Sequence, residues 1–271
     1  MNWALAANSL LTGILAAVVA GVLGFAAALF VMALGVRWRW LAFAVAAVAF
    51  AMPPFLATNA WLDLLGPSSS LQRVLPFDIA SVLGVTWVLA LFLWPVTMFG
   101  CLGAWQRLGH PHFESDPALC GGALVRRVLW PAARPAVGFA WLLAFVLAVN
   151  NFAVPAVLQV KVLPVEVYVR ANTNLDYAGA LWLSWPLVVM PLALLAWVRP
   201  RHVAWPRLDR GVSPSVWKRG LGKSWLATSG CVALLTATVA VLMPLGDIVL
   251  ANRTWEALPS VWATAKHVCL M

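Results

Sequence analysis

Six apolar segments, near 9–35, 41–62, 79–103, 136–158, 178–198 and 225–250, constrain what this chain can fold into. A helix needs about 20 apolar residues to cross the hydrocarbon of a bilayer, and only helices and closed barrels satisfy their backbone there. Each segment is long enough. The predicted fold is an all-α membrane protein, a polytopic helical bundle of about six transmembrane helices. Composition agrees, with 63% of residues apolar and 10% charged, against roughly a quarter charged in a soluble domain. The 17 tryptophans, among them Trp38, Trp40, Trp61, Trp105, Trp197 and Trp255, are of a type that gathers at membrane–water interfaces. The first apolar run is too long for a signal peptide and has no basic leader, so it is expected to remain as a span. It carries two ridges of small residues: Gly13, Ala17 and Gly21, and then Ala20, Gly24 and Ala28. Such four-residue spacing is expected to let neighbouring helices approach closely.

Basic residues alternate between the connections. Arg37, Arg39, Arg107, Arg126, Arg127, Arg134 and the run from Arg199 to Lys223 fall in one set of loops, thirteen in all. Arg73, Lys161, Arg170, Arg253 and Lys266 fall in the other. The positive-inside rule then places the amino terminus outside and the 106–135 loop in the cytoplasm. The formal charge of +9 is explained by this topology together with attraction to anionic membrane lipid, and no nucleic-acid partner is expected. Cys101, Cys120, Cys231 and Cys269 are scattered, with neither a CxxC pair nor metal-ligand spacing.

The 106–135 loop, QRLGHPHFESDPALCGGALVRRVLWPAARP, is the long polar interruption among the first five spans. Its pattern predicts a short amphipathic helix, a turn at Gly121 and Gly122, and a second helix with Arg126 and Arg127 in water. Pro131 and Pro135 are expected to set the angle at which the fourth span begins, since proline suits the first turn of a helix. Such a loop reads either as a handle for a soluble partner or as an ordinary connector. His110 and His112 flank Pro111 without further ligands at useful spacing, and read as surface residues.

These residues also carry a likeness. The loop resembles the signature loop of ABC importer permeases: Glu-Ala-Ala, three residues, Gly, a spacer and a hydrophobic-x-Leu-Pro ending. Glu114-Ser115-Asp116 stands where Glu-Ala-Ala would. Gly121 lies one residue later than the motif's glycine, whose place Cys120 takes. Val128-Leu129-Trp130-Pro131 supplies the ending after a shortened spacer, with Trp130 for the leucine. The resemblance runs over residues 8–200. NNFAVPAVLQVKVLPVEVYVRANTNLDYAGA and MPPFLATNAWLDLLG are similar to the iron(III)/thiamine-type branch.

The resemblance implies a five-helix permease core over 1–200, a cytoplasmic linker over 201–223, and over 224–271 the first helix of a second, truncated repeat. It implies a bacterial inner-membrane location and three partners: an ABC ATPase subunit, a second permease domain and an external substrate-binding protein. The expected cargo is ferric iron first, with thiamine or another small solute as alternatives, and the chain needs no cofactor of its own. Glu114, Asp116, Gly121, Gly122, Arg126, Arg127 and Pro131 would then form the coupling element. The glycines would make its turn, the arginines would contact the ATPase, and Pro131 with Pro135 would be the rigid join to the fourth span.

Other polar groups stand out against the apolar background. Asn150 and Asn151 read as lying deep in the fourth span, ahead of Pro155, where unpaired amides are costly. They are expected either to bond between helices or to line a path. Pro53 and Pro54, with Thr58 and Asn59, break the second span and predict a cavity wall or hinge. The segment 161–177 carries Glu166, Arg170, Asn172, Asn174 and Asp176, and reads as an external surface for the binding protein or as a solvated connector. Gly220-Leu221-Gly222-Lys223-Ser224 imitates the end of a phosphate-binding loop, but Trp217 stands where the first glycine belongs and an apolar helix follows. It is read as a basic end to the linker. No nucleophile–base constellation or intramembrane carboxylate pair emerges, so the chain is not expected to be an enzyme. The alternative from another class is a membrane scaffold without transport of its own. A proton-coupled carrier is disfavoured because Asp63, Asp78 and Asp247 fall near span ends.

Overall fold

The computed structural model of the chain describes residues 3–66, 69, 77–109, 113, 119–197, 212–250 and 255. Every regular element among them is a helix: α1 (Trp3–Met32), α2 (Val36–Ala51), α3 (Pro54–Leu65), α4 (Val82–Trp105) and α5 (Gly122–Val149). After these come α6 (Ala153–Val157), α7 (Leu163–Asn172), α8 (Tyr177–Trp197) and α9 (Pro214–Leu250). Five helices are long and apolar enough to cross a membrane, or six if the bent pair α2–α3 is one span. The protein is an all-α polytopic helical bundle. Its outward side chains, such as Val22, Leu181, Trp182 and Leu234, are the apolar exterior that lipid solvates.

α1 is the central post. It packs along α4, α5 and α9, and its small residues explain why. A β-carbon on Gly24 would press on the Trp94 carbonyl and lie 2.7 Å from Thr97 Cβ and 2.9 Å from Met98 N. One on Gly13 would meet Val149 and Phe145. Ala17, Ala20 and Ala28 are buried, so both ridges work as expected except at Gly21, which faces open space. Gly24→Leu is therefore expected to destabilise by about 3 kcal/mol or more, because backbone cannot yield as a side chain can. Gly21→Leu is expected to leave the unfolding midpoint unchanged, and thermal unfolding in detergent compares the two.

Proline positions set the bends. Residues before proline avoid the helical region, and Met52 (ψ 131°) and Pro53 (ψ 126°) are accordingly extended. α2 stops at Ala51, Pro54 opens the first turn of α3, and the pair is bent by 89°. Pro131 and Pro244 are accommodated differently. Each lies two residues past a π-turn, Val125–Leu129 in α5 and Thr238–Leu242 in α9. A wider turn moves the preceding carbonyls off the proline ring, so the helix continues. This corrects two expectations. The second helix of the loop and the fourth span are one continuous α5, so Pro131 and Pro135 lie inside a helix and do not join two. The fourth span ends at Val149, which puts Asn150 and Asn151 at its end and not deep within it. Residues 214–221, at the end of the expected linker, are helical and are set off from the last span by the break at Gly222, and α9 packs on α1 as part of the same bundle.

The bundle has two distinct ends. At one, Asn8 Nδ2 donates to the Lys161 carbonyl at 3.1 Å and Leu163 N donates to Ser9 Oγ at 2.8 Å. α3 packs there on α6 and on the 243–250 end of α9. At the other end lie the 33–35 turn, the start of α5 and the start of α9.

Candidate functional site

The loop end is closed by an aromatic clasp. Trp105, at the end of α4, and Trp217, near the start of α9, have ring centroids 5.4 Å apart, and both are fully buried. Phe25 of α1 meets Trp105 edge-on at 5.4 Å and Trp130 at 5.6 Å. Phe113 lies 5.4 Å from Trp217. A buried indole needs an acceptor for its N–H, and each finds one on a different helix. Trp105 Nε1 donates to the Leu129 carbonyl at 2.8 Å, and Trp217 Nε1 donates to the Leu29 carbonyl at 3.0 Å.

The Leu29 carbonyl is available for a local reason. The last turn of α1 tightens, with Ala33 N bonded to Phe30 O at 2.9 Å and Leu34 N to Val31 O at 3.0 Å. That leaves terminal carbonyls of α1 over, as helix ends do. Trp217 takes Leu29 O. Arg39 Nη2 takes Met32 O at 2.6 Å, a cation placed favourably at a helix C-terminus. Arg39 is thus a buried clamp between α1 and α2, where the sequence reads as one more interfacial cation.

Upon this clasp sits the glycine turn. Gly121 has φ 57° and ψ −127°, a conformation open to glycine and strained for other residues. Its N–H donates to the Gly220 carbonyl at 2.8 Å, and a β-carbon on Gly122 would touch the Trp225 ring at 3.4 Å. Gly222 (φ 77°, ψ 166°) breaks α9 just after this contact, turning residues 214–221 over the start of α5. Of the expected coupling residues, Gly121 and Gly122 form the turn as predicted, and Arg126, Arg127 and Pro131 are exposed beside it. Glu114 and Asp116 lie outside the described residues, as do His110 and His112.

The path residues lie at the opposite end. Asn150 closes α5 and donates from Nδ2 to the Val146 carbonyl at 2.9 Å, within its own helix. Asn151 Oδ1 accepts from Val154 N at 3.1 Å, which caps α6. Each amide bonds locally, so of the two roles expected, bonding between helices or lining a path, neither side chain shows the interhelical bond. Pro155 is buried in α6, Pro53 and Asn59 are exposed, and Pro54 is partly buried. The packing of α3 on α6 brings the two broken segments together. Thr58 is buried and donates to the Pro54 carbonyl at 2.7 Å.

At the end of α7 and just after it, Asn172 and Asn174 are exposed, while Asp176 is a capping residue. Its Oδ1 accepts from Gly179 N at 2.9 Å and its own N–H donates to the Arg170 carbonyl at 2.9 Å. Arg170 pairs in turn with Glu166 at 3.0 Å. Asp176→Ala is expected to lose about 1 kcal/mol through the missing cap, with Asp176→Asn nearly neutral, in thermal unfolding. Among the described residues, no three His, Cys, Asp or Glu side chains group as metal ligands.

In the sequence Trp217 stands out only as the residue that spoils a false phosphate loop. A usable signal was present, because Ser213-Pro214 is a good helix start and puts Trp217 and Leu221, one turn apart, on a common face. No protein-family model matches this chain, and no curated protein matches it.

Proposed function

We propose that the chain is a permease subunit of an ATP-driven ABC importer, with ferric iron as the first candidate cargo. Its loop end faces the cytoplasm of a bacterial cell, its amino terminus faces outward, and the membrane is the inner membrane. A separate ABC ATPase supplies hydrolysis, a second permease domain completes the path, and an external binding protein delivers the solute. The observation that carries this reading is the turn at Gly121. A glycine-only backbone there starts a continuous spanning helix with two exposed arginines in its first turns, and a buried aromatic cluster braces it from behind. Force applied at that turn reaches the far end through α5 as a rigid rod. At the far end, the proline break of α2–α3 and the asparagine break after α5 adjoin, and such breaks where spans meet are where a path would open.

The test is purification of the tagged chain from its native membrane with whatever binds it. An ABC ATPase should co-purify with vanadate-sensitive hydrolysis, and the Arg126→Glu/Arg127→Glu double variant should lose both. Purification without an ATPase under conditions that keep the bundle folded would contradict the reading and favour a scaffold.

A further inference from the structure

We propose that the partner-binding face is composite, and that residues 214–223 contribute as much of it as the loop does. The occupant is an acidic surface on a soluble protein. This rests on the permease reading above, under which that protein is the ATPase.

Four observations carry it. First, the hydrogen bond from Gly121 N to Gly220 O fixes the two segments side by side. A β-carbon on Gly220 would lie 3.0 Å from Leu124 Cδ2 and 3.3 Å from Phe113 Cδ1, so no side chain separates them. Second, Arg126, Arg127, Lys218, Arg219 and Lys223 are all exposed around this seam. None has a hydrogen-bond or ion-pair partner among the described residues. Third, the acids among the described residues, Asp63, Asp78, Glu166, Asp176 and Asp247, belong to the opposite end. Counting Glu114 and Asp116 as well, the basic residues of 106–135 and 212–225 still outnumber the acids. Complementarity therefore calls for an acidic partner. Fourth, Trp130 and Trp225 are 43% and 39% exposed and mark the level at which tryptophan meets the interface. Arg126 and Arg127 precede Trp130 by four and three residues, and Lys218 and Arg219 precede Trp225 by seven and six, which sets both pairs toward the loop end and favours a soluble protein over lipid headgroups.

The arrangement has a mechanical consequence. A partner seated on both segments pulls on α5 through Gly122, on α9 across Gly222, and on α1 through the bond of Trp217 to Leu29. Three spans then receive the input together.

The experiment places the photo-cross-linker benzoylphenylalanine at position 126 or at position 219 of the full chain in its native membrane, with captured species identified by mass spectrometry. The proposal expects one and the same protein from both positions. It also expects Lys218→Glu/Arg219→Glu to reduce capture at 126 by roughly tenfold, as reversal of interface charges does. Capture of an ATPase at 126 alone, unaffected by the reversal, overturns the composite face and leaves the permease reading intact. One shared partner that is not an ATPase upholds the composite face and removes the permease reading. Lipid adducts only, or no capture at either position, overturn the proposal. Unchanged thermal unfolding of the double variant shows that the loss is one of contact and not of fold.

Discussion

Replacing Trp217 with alanine should lower the unfolding midpoint of the detergent-solubilised protein by on the order of 10 °C. The ring is 1% exposed and contacts both Trp105 and Phe113. Truncating such a side chain costs about 3–5 kcal/mol in transfer and cavity terms. The Leu29 carbonyl then loses the donor at 3.0 Å that satisfies it, and an unpaired buried acceptor adds about 1–3 kcal/mol. Trp217→Phe keeps the six-membered ring's contacts and loses the N–H and the smaller ring, so its midpoint should fall less far than that of Trp217→Ala. Trp225→Ala removes a ring that is 39% exposed and should shift the midpoint by no more than about 2 °C. Equal effects of Trp217→Ala and Trp225→Ala would show that the segment 214–221 does not close the bundle.

Gly121→Val should open the clasp locally without unfolding the spans. Valine at φ 57°, ψ −127° is strained by about 1–3 kcal/mol, and relaxing the strain withdraws the N–H from Gly220, losing about 1 kcal/mol more. Space is not the cause, because a β-carbon there would sit at an ordinary 3.6 Å from Trp225 Cδ1. When opening is fast, proteolysis follows the population of the open form. Trypsin should therefore cut at Lys218, Arg219 or Arg126 at least about tenfold faster than in the unaltered protein, with the midpoint almost unmoved. Gly122→Ala, in the first turn of α5 with ordinary helical backbone, should cut at nearly the original rate. Indistinguishable cleavage of Gly121→Val would show that the turn is not fixed by Gly121.

The spans were legible because membrane-length hydrophobicity is a strong signal: α1, α4 and α8 each begin and end within about six residues of expectation. Proline was legible as a bend at Pro53-Pro54, where two successive residues are barred from the helical region. It misled at Pro131, because a π-turn can absorb a proline and leaves no mark in the sequence. Reading α5 as starting at Pro135 then pushed the expected span end past Asn150, which made a terminal residue look like a buried one. The turn at Gly121 was visible from the glycine pair. Its partner at Gly220 was not, since the pairing joins segments a hundred residues apart through backbone atoms alone. Composition also hid Trp217. A basic, proline- and glycine-rich stretch reads as a linker, and a single buried tryptophan outweighs that average only once its neighbours are known.

Access of Cys120 to a membrane-impermeant maleimide tests the central claim most directly. This thiol is exposed and adjoins Gly121, while Cys101 is buried. Cys231 is exposed on α9 at the lipid-facing level of Leu234 and Leu235. A Cys231→Ser/Cys269→Ser background isolates the loop signal. The account predicts no labelling of Cys120 in intact cells and full labelling in inside-out vesicles, with the handle on the side where ATP is. Labelling in intact cells would put the clasp on the external face, beyond the reach of any ATPase, and contradict it.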